Sequence, residues 1–141
     1  MYTLETLEQT LKDMGKTNFL DHHLSVKPLL PYVLKSLKPE DEILACCLQC
    51  QKNLKPGIVI ILQDRILFAE KTFFIRKQTE IYLNNIASFQ NMEYHIPMAS
   101  YSLCNITITD NGGMIHRFTN IMDYQAARII KVLNDKVKVA K

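Results

Sequence analysis

Glycine and proline are scarce in this chain, with four and five residues among 141. There is no low-complexity segment, and 48% of the residues are hydrophobic. A long disordered region is therefore excluded, and there is ample material for one packed core. Long apolar runs are missing too. The notable run, "IVIIL" at 58–62, falls far short of the ~20 residues that a membrane-spanning helix needs. The N-terminal stretch "MYTLETLEQTLKDM" is amphipathic and mixed in charge. It lacks the basic start and continuous apolar segment of a secretory signal. These absences predict a cytoplasmic chain that is not transmembrane. The four cysteines crowd rather than spread, with three of them at Cys46, Cys47 and Cys50. That is not the spacing of a disulfide framework, and the cytosol would keep them reduced.

A strong charge of one sign is also lacking. The net charge is +3. Residues 1–42 carry 5 basic and 7 acidic side chains, and residues 43–141 carry 12 and 7. No concentrated basic stripe results, so no specific nucleic-acid partner is expected. The basic residues near the C-terminus (Arg128, Lys131, Lys136, Lys138, Lys141) read as a solvated helix face.

What is present is a change of period. Leu4, Leu7, Leu11 and Met14 recur at steps of 3 and 4, which predicts a helix over 3–14. Thr3 can cap it and Gly15 can end it. A second helix is predicted at 29–37, with Pro28 and Pro31 in its first turn and Pro39 as its stop. From Glu42 the period becomes 2. "EILACCLQCQ" sets Leu44, Cys46, Leu48 and Cys50 against Ala45, Cys47, Gln49 and Gln51. Further strands follow in "IVIIL", "RILFAE", "FFIRK", "TEIYL", "IASFQ", "NITITD" and "MIHRFT". "DNGG" at 110–113 reads as a hairpin turn in which Asn-Gly accepts positive φ. Asp123 can cap a final helix whose apolar face is Ala126, Ile129, Ile130, Leu133 and Val137. About seven short antiparallel strands between helices exclude a parallel βαβ sheet. The predicted class is α+β: a bent sheet or partly open barrel capped by the C-terminal helix.

Chemistry is hard to find. Cys47 and Cys50 form a C-x-x-C pair, which raises a metal-binding or redox alternative. In an extended strand the two point to opposite faces, ~10 Å apart along the chain. Cys46 and Cys50 share a face but stand ~13 Å apart. Neither pair suits tetrahedral zinc, and no helix N-terminus is expected here to activate a thiolate. Cys46, Cys50 and Cys104 therefore read as small buried hydrophobes. "DHH" (Asp21, His22, His23) echoes a phosphoesterase motif but lacks the further aspartates and the parallel scaffold. His95 and His116 make no ligand spacing. No Gly-rich phosphate loop occurs. Arg65, in the turn after the run, is read as orienting Asp64 or the turn backbone. No cofactor and no catalytic residue is expected.

Several segments in order resemble the YokE-like family of bacterial pleckstrin-homology-like domains. They are "PEDEIL", "PGIVIILQDRILFAE", "IYLNNIASF", "ITITDNGGMIHRFTNI" and the helix from Asp123, spanning residues 40 to about 135. The resemblance implies a PH-like seven-stranded, bent antiparallel barrel with a C-terminal capping helix. It places an N-terminal helical extension at 1–38 and the barrel domain at 39–141. It implies a non-catalytic binding or scaffolding module, for a protein partner or self-association. The N-terminal helices are the natural partner surface if their stripes stay free. A weak anionic lipid surface is the alternative. In the wider fold, basic residues at the end holding the first and third hairpins bind phosphate. Here those positions are Lys52, Lys55 and Lys71, with Arg76 and Lys77 further along the fourth strand.

Overall fold

The computed structural model describes residues 2–14, 29–52, 55–71, 76–95, 97–98 and 102–137. Helix α1 (Leu4–Met14) and helix α2 (Leu30–Ser36) come first. Seven strands follow: β1 (Ile43–Lys52), β2 (Lys55–Leu62), β3 (Arg65–Lys71), β4 (Arg76–Tyr82), β5 (Ile86–His95), β6 (Ser102–Asp110) and β7 (Ile115–Met122). A single 3-10 turn, Leu83–Asn85, joins β4 to β5, and helix α3 (Asp123–Lys136) ends the described chain.

The strands form one antiparallel sheet in the order β4-β3-β2-β1-β7-β6-β5. It bends into two lobes, β1–β4 and β5–β7. Among the described residues, the strand pairing that joins the lobes is β1 with β7, at Gln51 with Thr119 and Lys52 with Phe118. Next to that junction β7 carries a bulge, with Asn120 in the left-handed region at φ 62°. Bulges bend and twist a strand, which lets β7 serve both lobes. The barrel does not close: β4 and β5 stand at the two ends of the sheet order. The sheet is thus the bent, partly open form that the sequence predicts, not a closed barrel.

Between the lobes lies the main core. Phe68 on β3 and Phe118 on β7 hold it together, with ring centroids 5.4 Å apart. Helix α3 closes this core with Ala126, Ile129 and Leu133 buried and Ile130 packed beside them, as its periodicity predicts, and Val137 just past its end is buried too. Its start differs from expectation. Met122 occupies the cap position without a side-chain bond. Asp123 is the first helical residue, and its carboxylate accepts N–H bonds from Tyr124 (2.7 Å) and Ser102 (3.2 Å). It therefore ties the helix to β6.

A second core lies on the outer face of the four-stranded lobe. Leu7 and Leu11 of α1, with Leu29, Leu30 and Val33, cover Ile58, Ile60, Leu62, Leu67 and Cys46. Val59 and Ile61 face the main core instead. "IVIIL" is apolar without alternation because both of its faces are buried. The stripes of α1 and α2 are therefore spent on this chain's own sheet. Helix α1 opens with a reciprocal cap. Thr3 Oγ1 accepts the Thr6 N–H (3.2 Å), and Thr6 Oγ1 accepts the Thr3 N–H (2.8 Å). Gly15 and Pro28 lie outside the described residues.

Two glycine positions add detail that spacing does not supply. In "DNGG" the positive φ belongs to Gly113 (84°) rather than to the Asn-Gly pair. Asp110 organises the loop: its Oδ1 accepts the N–H groups of Gly112 and Met114, both at 2.9 Å. In β2, Gly57 has a steric reason. A Cβ there would stand 2.7 Å from the Phe68 ring and closer still to the Ala69 carbonyl oxygen. Gly57→Ala is expected to cost about 1–3 kcal/mol by overpacking. A lowered urea midpoint checks it; an unchanged midpoint would show that β2 and β3 can separate freely there.

Candidate binding surfaces

The cysteines sit on opposite faces of β1. Cys47 lies in the main core and Cys46 in the outer core beneath α1, both buried. The Cys46 thiol donates toward the Leu11 carbonyl at 3.7 Å. Burial pushes its pKa up to about 12, with the neighbouring Cys47 adding to the shift. Cys104 is also buried, and its pKa is raised by burial and then by the Glu93 carboxylate. Such thiols are poor nucleophiles and poor metal ligands at neutral pH. Strand β1 is not uninterrupted, however. Between Cys47 and Cys50 the register slips by one residue: Cys47 pairs Val59, but Cys50 pairs Gly57. Simple alternation therefore does not carry from Cys46 to Cys50. The Cys50 side chain lies outside the described residues. Among the described residues no group of three His, Cys, Asp or Glu side chains could hold a metal.

His22 and His23 lie outside the described residues. His95 is exposed, with Nδ1 3.5 Å from Ser102 Oγ. His116 is buried, with Nε2 3.3 Å from Asp110 Oδ2. They belong to different environments.

Arg65 is the most elaborate polar site. Its side chain is only 2% exposed. Nη1 donates to Asp41 Oδ1 (3.1 Å) and Asp64 Oδ1 (2.8 Å). Nη2 donates to Asp41 Oδ2 (2.7 Å) and the Ser36 carbonyl (3.1 Å). Nε faces Glu80 Oε2 at 3.4 Å. Asp41 also accepts from the Lys38 N–H (2.7 Å) and Gln63 Nε2 (2.9 Å). The Arg65 hydrogen bond holds the Asp41 carboxyl well below the usual carboxylate range, against the opposing effect of burial. The expected bond to Asp64 is there, but the bidentate partner is Asp41, which sequence reasoning misses. Its only signal is an acidic residue just ahead of a strand. The network pins the end of α2 onto the β2–β3 turn, and every donor used is already committed within the fold.

The five basic candidates fall at one end of the four-stranded lobe. Lys52 and Lys55 are paired positions closing the β1–β2 hairpin. Lys71 pairs Arg76, and Lys77 pairs Glu70. Because Gly57 pairs Glu70, the two hairpins share that end. The five side chains lie outside the described residues. Sequence reasoning also passes over Glu70, a buried carboxylate at the same end.

A further surface runs along β5. An open groove between β5 and the first turns of α3 is lined by Asn91, Glu93, Cys104, Asp123, Tyr124 and Ala127.

The family model of the bacterial PH domain matches residues 37–135. The chain belongs to the bacterial PH domain family. The match starts just past α2 and runs almost to the end of α3, so it takes in the whole bent sheet. Among solved structures this PH domain is similar to the C-terminal domain of an unknown protein from Leishmania infantum. The two are 12% identical, with a TM-score of 0.52 over 79% of this chain and 94% of that one. At that identity the likeness concerns fold alone. No curated protein shows significant sequence similarity to the chain. No described helix is long and apolar enough to cross a membrane.

Proposed function

We propose that this bacterial PH domain is a non-catalytic, cytoplasmic binding module of the YokE-like type that engages a protein partner. One contrast carries the reading. The described thiols are buried and the Arg65 donors are committed to the fold, whereas β4 and β5 each lack a second strand partner among the described residues. Groups suited to chemistry are used for structure, and groups suited to association are left available. In this reading residues 1–38 are an extension whose described helices cover the outer face, and 39–141 are the binding domain. The covered stripes of α1 and α2 move the contact surface away from these helices. Self-association through another face belongs to the same class.

Affinity purification of the full chain from its native host, with mass spectrometry of bound proteins and lipids, tests the proposal. A stoichiometric protein partner is the expected result. One equivalent of zinc per chain, in protein purified without a histidine tag, would overturn it in favour of a metal protein at Cys47 and Cys50. A second reading, a weak anionic lipid surface, is favoured by the shared end of the two basic hairpins. It requires co-sedimentation with strongly anionic vesicles that weakens with salt. Lys52→Glu with Lys55→Glu should then weaken it further, at ~1 kcal/mol per lysine near the membrane surface.

A further inference from the structure

The two edges of the open sheet are not equivalent. Strand β4, "RKQTEIY", carries Arg76, Lys77 and Glu80 along its seven residues. Charged residues, lysine above all, are a usual way of discouraging strand addition at an edge. Strand β5, "IASFQNMEYH", is longer at ten residues and has no lysine, arginine or proline. Only Ile86 in it is buried; the other nine residues are exposed or half-buried. Strand β6 pairs one side of it, and no described strand pairs the other. Alternate N–H and C=O groups along that side lack a strand partner among the described residues.

The surface beside this edge is built unlike the rest of the sheet. Asn91 pairs Ile106 and Glu93 pairs Cys104, and both of those partners point into the main core. Asn91 and Glu93 therefore sit at core-facing register positions, yet both are exposed. Helix α3 does not cover them and forms the opposite wall of the groove with Asp123, Tyr124 and Ala127. The groove is acidic. Glu93 and Asp123 are both close enough to Cys104 to oppose its ionisation. Neither carboxylate is in an ion pair with a described lysine or arginine.

Resting on the binding-module reading, we propose that β5 is the docking edge and that its occupant is an extended, basic segment of a partner protein. The segment adds as a strand beside β5 and places a lysine or arginine in the groove against Glu93. Main-chain hydrogen bonds supply the generic part of the affinity, and the groove supplies the choice of side chain. Charge complementarity selects this occupant. A second copy of this chain would bring two grooves of the same sign together, and an acidic segment would meet Glu93 unpaired.

The test uses the full chain, labelled for amide NMR, and two capped seven-residue peptides. One alternates valine or threonine with lysine; the other has glutamate in place of lysine. The lysine peptide is expected to slow hydrogen exchange at alternate β5 amides. It should bind about tenfold or more tightly than the glutamate peptide, as a charge-assisted contact implies. Glu93 is exposed, so Glu93→Lys should leave the fold intact and remove or reverse that preference. Unchanged β5 amides with about 1 mM lysine peptide, near the weak limit of specific affinity, would overturn the proposal. Protection that appears on β4 instead would also overturn it. So would β5 protection that grows with protein concentration in the absence of peptide, which would identify a second copy as the occupant. A protein partner recovered from the host that leaves β5 exchange unchanged overturns the edge assignment while the binding-module reading stands.

Discussion

Asp41→Ala is expected to lower the stability of this domain by about 3 kcal/mol, at the lower end of the usual cost of breaking a buried ion pair. The reason is the cation left behind. Arg65 loses two of its hydrogen bonds and keeps Asp64 and Glu80. Those carboxylates are 47% and 34% exposed, against 1% for Asp41, so water screens their attraction more strongly. Lys38 N–H and Gln63 Nε2 also lose an acceptor. Urea unfolding measures the loss. A double replacement, Asp41→Leu with Arg65→Met, should recover most of it, because no buried charge then remains unpaired. A double variant as unstable as the single one would show that the charges themselves position α2.

The same pair gives a pH dependence with a definite sign. The Asp41 carboxyl is held low in the folded protein, so the unfolded chain takes up its proton first as the pH falls. The stability contributed by the pair is present in full above about pH 4, the ordinary aspartate value, and is lost progressively below it. The difference in stability between wild type and Asp41→Ala should therefore shrink as the pH is lowered from about 5 toward 2. A difference that stays constant across that range would show that Asp41 titrates normally.

Ile129→Asp is expected to be the most damaging of these changes, at about 4 kcal/mol or more. Ile129 is 2% exposed and, together with Val59, Ile61, Phe118 and Ile121, lines the space that α3 closes between the lobes. A carboxylate there loses its hydration and gains no partner. Two controls separate this cause from general sensitivity of the helix. Ile129→Val removes one methylene and should cost about 0.5–1.5 kcal/mol. Lys131→Asp, on the exposed face of the same helix, should stay within about 0.5 kcal/mol of wild type. Thermal or urea unfolding of the three variants is the measurement. An unchanged melting temperature for Ile129→Asp would mean that α3 does not cap this core.

The periodic elements are legible in the sequence because their signals are local. The leucines of α1, the apolar face of α3 and the alternation through "NITIT" each follow from side-chain spacing alone. Thr3 as a cap is legible for the same reason; that Thr6 returns the bond is not, because a threonine at that place carries no distinctive signal. The resemblance that places the chain among bacterial PH-like domains rests on the order of several such local signals.

What stays hidden depends on partners far apart in sequence. Asp41 meets Arg65 across 24 residues, and no local pattern reports that pairing. The slip between Cys47 and Cys50 is set by the strand opposite, so counting along β1 cannot detect it. The covering of "IVIIL" on both faces needs α1 and α2 folded back onto the sheet, which leaves their stripes unavailable to a partner.

By itself the sequence determined where the chain turns from helices to antiparallel strands and back, that α3 presents Ile129 inward, and that Cys46 and Cys104 are core residues. Each follows from backbone periodicity and the removal of apolar surface from water. Only the tertiary structure decided which strands, β4 and β5, end the open sheet, that Asp41 pairs with Arg65, and that the edge strand beside the groove of Glu93 and Asp123 is β5. Those features are set by where the sheet bends and which edges meet, and the bend arises from bulges and long-range pairings whose energies no single segment contains.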